Sequence, residues 1–223
     1  DGIWIFEVSY MPSMLTMNSY DTICHEHLEY YSFSVIDNLM QRCGMKVVKV
    51  DFNNINGGSI RCYVTHESNF KFKNKEYQQT LEQVRRQEFD LELDTDKPYK
   101  NFQDRIDRHK EELSSLLKSL KREGKKIHIY GASTKGNTIL QWCGLDHTII
   151  DYAADRNPDK DGARTIGTDI PIINEEKSRA MKPDYYLVLP WHFRDEFLKR
   201  EKALLDSGVG FIFPLPTIEI IKA

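Results

Sequence analysis

The chain has 223 residues, of which 40% are hydrophobic and 29% charged, and its formal net charge is -3. The small negative charge gives no case for nucleic acid or an anionic membrane as a partner, because both attract basic proteins. No apolar run reaches the roughly 18 residues of a membrane span. The 4 cysteines are scattered without paired spacing, which favours core thiols in a reducing cytoplasm over a disulfide scaffold.

The first part of the chain has the pattern of short strands around one helix. Apolar and β-branched residues predict strands over residues 3–8, 45–52 and 60–66, with a helix from Phe33 that ends near Gly44. In the third strand, Ile60, Cys62 and Val64 fall on one face and the residues between them on the other. A turn that runs at once into a strand is an unusual start for a domain, so we expect a C-terminal piece of a longer protein.

The remaining sequence divides into a charged helical stretch and an alternating stretch. Residues 67–125 predict two helices separated by Pro98, and His109 falls on the apolar face of the second helix, where we expect a structural role. Residues 126–223 alternate strands with helices, which predicts a parallel α/β sheet. Its strands are expected at residues 126–130, 147–152, 170–173, 184–189 and 209–213, with a helix from about Asn137 after the first of them.

Residues 20–31, here called the histidine motif, combine two histidines, three further acids and three tyrosines. The neutral imidazole of a histidine can accept a proton at cellular pH, and a nearby carboxylate can orient the ring. In an extended segment His25 and His27 point one way and Glu26 the other. The pattern therefore indicates one catalytic histidine, with neighbouring residues that position it or a substrate. The alternative is a polar loop in which the histidines have no catalytic role. No Cys-x-x-Cys or carboxylate cluster accompanies the two histidines, so no metal site is predicted.

A second candidate site is the turn over residues 131–136, between a predicted strand and a predicted helix. Backbone N–H groups and the helix dipole favour an anion at such a turn. The turn matches neither the dinucleotide fingerprint nor the Walker loop. The side chains of Ser133, Thr134 and Lys135, with Gly131 and Gly136 around them, could still bind a phosphate. The alternative is an ordinary tight turn between strand and helix.

Two further pairs of residues follow predicted strands of the same sheet. Asp155 and Arg156 lie where nucleotide-binding folds hold ribose or a second phosphate, although a surface ion pair is the alternative. Trp191 and His192 follow another strand, at the edge where open α/β sheets bind ligands. We expect both pairs to contact substrate.

Three stretches, residues 20–34, 56–61 and 129–138, resemble in the same order the sugar C-methyltransferases. These enzymes use S-adenosylmethionine to methylate a carbon of a nucleotide-linked keto-deoxysugar. The resemblance implies an α/β fold in three parts. Residues 1–66 would be the end of a class I methyltransferase-type sheet, residues 67–125 a helical connector, and residues 126–223 a Rossmann-like three-layer αβα domain for nucleotide-sugar binding.

The resemblance also implies catalytic roles for the histidine motif. The family's proposed base, which removes a proton from the carbon next to the sugar ketone, corresponds to His27, with Glu26 as its positioning group and His25 beside them. The family often has a tyrosine where this chain has Cys24. Whether another residue takes over the role of that tyrosine in this chain therefore stays open. Ser59 and Arg61 would lie beside a substrate-facing loop.

The expected ligands are a nucleotide-diphosphate sugar and the methyl donor. Family members hold the sugar nucleotide between the donor domain and the C-terminal unit, and the site for S-adenosylmethionine would lie mostly outside this chain, so the fragment alone is expected to be inactive. Two alternatives remain: a non-catalytic nucleotide-sugar-binding module, or another sugar-nucleotide enzyme. The latter includes an O- or N-methyltransferase, and a dehydratase or reductase, which would need the missing dinucleotide fingerprint.

Overall fold

A computed structural model describes residues 2–54 and 57–223 of the chain. These residues form two compact units. The first unit contains residues 2–19 and His27–Gln103, and the second contains Tyr20–Glu26 and Asp104–Ala223. The predicted division at residues 66 and 125 stays a prediction.

The first unit is built on a three-stranded antiparallel sheet. Its strands are β1 (Trp4–Ser9), β2 (Met45–Asn53) and β3 (Ser59–His66), in the order β1-β3-β2. Ile60, Cys62 and Val64 are fully buried, so the predicted alternation along the central strand is confirmed. They pack in one core with apolar residues of two helices, α2 (Phe33–Arg42) and α3 (Lys75–Asp90). A short helix, α1 (Met11–Thr16), follows β1.

A buried carboxylate joins the two helices of the first unit. Glu88 of α3 is 3% exposed, and its oxygens accept hydrogen bonds from the backbone N–H groups of Phe33 and Ser34 at 2.5 and 2.8 Å. It also accepts the hydroxyl of Tyr10 at 2.8 Å. Because the first N–H groups of a helix have no partner inside that helix, Glu88 fixes the start of α2.

Helix α4 (Lys97–Arg122) carries the apolar stripe that the sequence predicted, with Pro98 in its first turn. His109 is 5% exposed. Its Nδ1 lies 3.0 Å from the hydroxyl of Tyr20, and its Nε2 lies 2.6 Å from the carbonyl oxygen of Pro214. Burial lowers the pKa of His109, which keeps the ring neutral. The predicted structural role of His109 is therefore confirmed.

The second unit contains a six-stranded sheet in the order β6-β5-β4-β7-β8-β9. All neighbouring strands are parallel except β8 and β9, so the predicted α/β class with a mainly parallel sheet is confirmed. The strands are β4 (Ile127–Tyr130), β5 (Tyr152–Asp155), β6 (Ile172–Asn174), β7 (Tyr185–Val188), β8 (Gly210–Phe213) and β9 (Glu219–Ile221). The helices after them are α5 (Thr134–Cys143), α6 (Glu175–Ala180), α7 (Arg194–Arg200) and α8 (Lys202–Asp206).

One predicted strand of the second unit is wrong. Residues 147–149 of the predicted strand form a turn, and β5 begins only at Tyr152. The Asp146 carboxylate accepts the backbone N–H and the hydroxyl of Thr148 at 2.9 and 2.6 Å, and its carbonyl accepts the N–H of Ile150 at 2.9 Å. These local bonds compete with strand pairing, although the residues themselves are apolar and β-branched.

Helix α5 begins three residues earlier than the sequence predicted. Ser133 caps it, with its Oγ accepting the N–H of Gly136 at 3.0 Å. A side-chain oxygen at this position satisfies one of the N–H groups that the helix leaves unpaired. The first turn of the helix therefore includes Thr134 and Lys135, two of the predicted phosphate-binding residues.

Candidate functional site

The start of the histidine motif is anchored in the core of the second unit. Residues Tyr20–Thr22 form a buried 3-10 turn. The hydroxyl of Tyr20 lies 3.4 Å from the thiol of Cys143, in addition to its contact with His109. The carboxylate of Asp21 accepts the indole N–H of Trp191 at 2.9 Å. These contacts fix the beginning of the motif and leave the residues that follow it accessible.

Asp21 is a functional candidate that the sequence reasoning missed, because a lone aspartate in a polar stretch gives no signal. Its side chain is 1% exposed, and burial raises its pKa, against the lowering effects of Trp191 and the nearby cation of Lys135. Its Oδ1 has no hydrogen-bond partner among the described residues. Trp191, a predicted substrate contact, is 4% exposed and directs its N–H to Asp21.

A cavity of about 540 Å³ joins the histidine motif to helix α5, and we call it the motif cavity. His25 and Cys24 contribute polar groups from the motif, while Thr134 and Asn137 contribute them from the first turns of the helix. The full lining is Ile23, Cys24, His25, Thr134, Asn137, Thr138, Gln141, Trp142 and Ile166. The hydroxyl of Thr134 also donates to the carboxylate of Glu26 at 3.1 Å. The structure thus brings together His25, Glu26 and Thr134, which the sequence had assigned to two separate sites.

The remaining predicted residues, His27, Ser59 and Arg61, belong to the first unit. His27 is half-buried in irregular backbone before α2. Ser59 is 5% exposed at the start of β3. Arg61 forms an ion pair with Glu7, with 2.8 Å between Nη2 and Oε2, so its charge is neutralised locally. A Cβ at Gly58 would collide with the side chain of Ser13, so close packing inside the unit explains this glycine. The predicted stretch from residue 56 begins outside the described residues.

The turn after β4 uses much of its backbone for internal bonds. The N–H of Gly131 donates to the carbonyl of Ala154 at 2.8 Å, and the N–H of Ala132 donates to the carboxylate of Asp155 at 2.9 Å. With the N–H of Gly136 bonded to Ser133, three N–H groups that could cradle a phosphate already have protein acceptors. A phosphate at this turn would therefore depend mainly on side chains of the first turn of α5.

His192 provides a neutral polar group after β7. Burial lowers its pKa to about 4, and the positive charge of Lys135 contributes in the same direction. The imidazole is therefore uncharged at neutral pH, so one ring nitrogen donates a hydrogen bond and the other accepts one.

Comparison with known proteins identifies the family. Residues 54–216 match the family described as C-methyltransferase C-terminal domain. The chain belongs to this family. It is also 32% identical over 223 residues to "C-methyltransferase NovU" from Streptomyces niveus, in a match that covers 100% of this chain and 52% of the relative. The chain thus spans about half the length of this curated relative. The resemblance to C-methyltransferases, which three short stretches of the sequence indicated, is confirmed.

A second cavity of this C-methyltransferase C-terminal domain, about 430 Å³ in volume, lies where strands β4, β5, β6 and β7 end. We call it the switch cavity. It includes the predicted residues Gly131, Asp155 and Arg156, and the sequence reasoning missed the rest of it. Its full lining is Tyr130, Gly131, Asp155, Arg156, Glu175, Pro190, Phe193, Glu196, Phe197 and Arg200.

The described residues of this domain do not fit a site for the methyl donor. In the turn over residues 131–136, three backbone N–H groups already donate to acceptors of the protein itself. The Asp155 carboxylate accepts three hydrogen bonds, from Ala132, Asn157 and Lys160. The sheet of the first unit is wholly antiparallel, without the parallel strand and glycine turn that hold nucleosides in open α/β sheets. Within the same part of the chain, no group of three or more His, Cys, Asp or Glu side chains is placed to hold a metal ion.

Proposed function

We propose that this chain is the C-terminal part of an S-adenosylmethionine-dependent enzyme that transfers a methyl group to a carbon of a nucleotide-linked keto-deoxysugar. Family membership and the likeness to "C-methyltransferase NovU" support carbon as the acceptor. When bound, the donor supplies the methyl group, and we assign its site to a part of the full-length protein outside this chain.

The observation that carries the proposal is the motif cavity, which combines a histidine, a thiol and an amide with an apolar wall. Ligand sites are commonly cavities of this size with a few convergent polar groups. Thr134 and Lys135 lie in the first turn of α5, where the helix dipole favours an anion, and we assign them to the diphosphate. The His25 imidazole and the Asn137 amide are hydrogen-bonding groups for the sugar.

We assign the general base to His27 on the family resemblance, with Glu26 as its positioning group. The proton on the carbon beside a ketone is weakly acidic, so the base must contact it directly and the resulting enolate oxygen must be stabilised. The hydrogen bond from Thr134 holds the Glu26 carboxylate in one orientation at the middle of the motif. Cys24 replaces a phenol with a shorter thiol, so we assign no proton relay to this position.

We also infer the Rossmann-like layering and a cytoplasmic location. The strand order of the second unit, with its reversal between β4 and β7, supports the layering. The four free cysteines support a reducing compartment. No helix in the described ranges is both long and apolar enough to cross a membrane.

The experiment separates proton removal from methyl transfer in the full-length protein. Deuterium exchange at the carbon beside the ketone, followed by mass spectrometry without donor, reports the base alone. We expect His27→Ala to abolish both exchange and transfer while donor affinity by calorimetry stays unchanged. The matched control is His147→Ala, at an exposed histidine outside the motif, which should retain both activities.

Two outcomes would change the assignment. Normal exchange and turnover in His27→Ala would remove His27 from the mechanism. Loss of exchange in His25→Ala with normal exchange in His27→Ala would give the base role to the histidine that lines the motif cavity.

A further inference from the structure

Exposed apolar side chains of the second unit concentrate on the motif cavity. Among the residues that the structure describes, this unit has six exposed large apolar side chains, and three of them line the motif cavity: Ile23, Trp142 and Ile166. We call these three residues the apolar wall. Single apolar residues scattered over a surface need no explanation, whereas several around one concave site indicate the apolar part of a ligand.

The loop that carries Ile166 is held in one conformation by hydrogen bonds of its polar neighbours. The hydroxyl oxygens of Thr165 and Thr168 lie 2.7 Å apart, and that of Thr165 also accepts the N–H of Ile170 at 2.9 Å. The side-chain amide of Gln141 donates to the carbonyl oxygen of Ile166 at 2.8 Å and joins the loop to helix α5. The Ile166 side chain itself is 72% exposed. Because the backbone is already ordered, this side chain can contact a ligand at a low cost in entropy.

The other two members of the apolar wall are also held in place. The ammonium of Lys110 lies over the indole ring of Trp142, 4.5 Å from the ring centroid. The backbone N–H of Ile23 donates to the carbonyl oxygen of Tyr20 at 3.0 Å, in the buried turn that begins the histidine motif. The apolar wall is therefore a preformed surface.

The lining residues of helix α5 follow the order of the parts of a nucleotide-linked sugar. Thr134, which the proposed function assigns to the diphosphate, lies in the first turn, Asn137 about one turn later, and Trp142 at the far end. A helix rises about 1.5 Å per residue, so Thr134 and Trp142 lie roughly 12 Å apart along its axis. The diphosphate is bonded to C1 of the sugar, and the ring atoms farthest from C1 are C3, C4 and C5, the last of which carries C6. The apolar wall thus lies where the edge of the sugar remote from the diphosphate would be.

We propose that the apolar wall is a specificity determinant of the reaction: it contacts C6 of the sugar and selects a methyl group over a hydroxymethyl group at that position. This inference rests on the proposed function, because it takes the sugar to occupy the motif cavity. A hydroxyl group against the wall would lose its hydrogen bonds to water without gaining a partner from the isoleucine side chains. An apolar surface rejects an added hydroxyl by up to about 100-fold, so we expect a preference of about tenfold to 100-fold for the 6-deoxy sugar.

The test compares the affinity of the full-length protein for sugar nucleotides that differ by one oxygen atom. The probes are the uridine and thymidine diphosphate esters of 6-deoxyglucose and of glucose, titrated by calorimetry. Neither sugar carries the ketone, so binding is measured without turnover. Ile166→Thr places a hydroxyl on the wall and should reduce the preference for 6-deoxyglucose about fivefold, the value of one hydrogen bond. The matched control is Ile220→Thr, at an isoleucine of β9 that is 47% exposed, which should retain the full preference.

Two further measurements separate selection by the wall from a general disturbance of the site. Uridine or thymidine diphosphate without a sugar should bind Ile166→Thr and the unchanged protein equally, because the wall contacts the sugar alone. In protein with ¹³C-labelled isoleucine methyl groups, the methyl group of 6-deoxyglucose should show a nuclear Overhauser effect to the δ1 methyl group of Ile166. The signal of that methyl group is identified by its loss in Ile166→Thr.

The outcomes distinguish failure of this inference from failure of the proposed function. If neither 6-deoxyglucose ester binds at millimolar concentration, or if Asn137→Ala binds it as tightly as the unchanged protein, the sugar does not occupy the motif cavity, and both are overturned. If the ester binds and Asn137→Ala weakens it, the sugar site stands. The inference alone is then overturned by equal affinity for the two sugars, by an Ile166→Thr preference equal to that of Ile220→Thr, or by the absence of the Overhauser effect.

Discussion

Replacing Trp191 with phenylalanine should release the beginning of the histidine motif. The substitution removes the N–H that donates to Asp21 at 2.9 Å and leaves a carboxylate of 1% exposure without that partner. A hydrogen bond to a charged acceptor contributes about 1.5–3 kcal/mol, and the smaller ring adds about 1 kcal/mol for lost packing at a site of 4% exposure. We therefore expect a loss of about 3 kcal/mol in local stability.

Hydrogen exchange of individual amides measures this loss where it occurs. The N–H groups of Ile23 and Cys24 donate to the carbonyls of Tyr20 and Thr22 at 3.0 Å each, so they report opening of the segment. A loss of about 3 kcal/mol corresponds to exchange about 100-fold faster. Trp4→Phe, at a tryptophan that is 51% exposed in the first unit, is the control. Unchanged protection of the two amides in Trp191→Phe would refute the anchoring role.

The same segment should respond to pH through Asp21. Burial raises the folded-state pKa of this carboxyl above its ordinary value of 3.8. Its contribution to stability is therefore fully present below pH 3.8 and is lost as the pH rises through the folded pKa. Asp21→Asn keeps an oxygen for the indole N–H and cannot ionise, so protection should become independent of pH in that window. Protection as low as in Trp191→Phe would contradict this.

Two further predictions concern the cores of the units. Glu88→Ala leaves the N–H groups of Phe33 and Ser34 and the Tyr10 hydroxyl without their acceptor, and urea unfolding should show a loss of about 4 kcal/mol. Exposed Glu82→Ala on the same helix is the control, and a loss below about 1 kcal/mol would contradict the role. Burial lowers the pKa of His128 to about 4, so the stability from its neutral ring is present above pH 6.5 and is lost as the pH falls towards 4. This pH-dependent loss of stability should reach about 3 kcal/mol. It should be absent in His128→Gln and present in the control His147→Gln, at an exposed histidine. Equal pH profiles in the two variants would contradict the role of His128.

Regular spacing of apolar residues made part of the fold predictable. The alternation around Cys62 gave the buried face of β3, and the helical spacing around His109 gave its burial. Both patterns depend on neighbours in sequence. The hydrogen bonds that hold His109, to Tyr20 and Pro214, join residues about a hundred positions apart, and no local pattern indicates them.

Local hydrogen bonds of polar side chains, and pairing between residues far apart in sequence, explain the strands that the sequence predicted wrongly or missed. Asp146 turns a β-branched stretch away from the sheet. The last strand, β9, is three residues long and was not predicted. It pairs with β8 and is fixed by the ion pair of Glu219 with Arg194 at 2.7 Å.

The candidate site shows the same limit. The sequence singled out residues on both sides of each cavity but could not show which of them meet. The contact of Glu26 with Thr134 spans 108 positions, and that of Asp21 with Trp191 spans 170. Phe193 and Arg200 of the switch cavity carry no sequence signal of their own, since aromatic and basic residues are common on helix surfaces.

The most direct test of the proposed function is the position of the transferred methyl group. The full-length protein would be incubated with nucleotide-linked keto-deoxysugars and a donor carrying a ¹³C-labelled methyl group, and the product examined by carbon–carbon and carbon–proton correlation NMR. We expect the labelled carbon to couple directly to the ring carbon beside the ketone. A label bonded to oxygen or nitrogen, or no label on any keto-deoxysugar, would contradict the account.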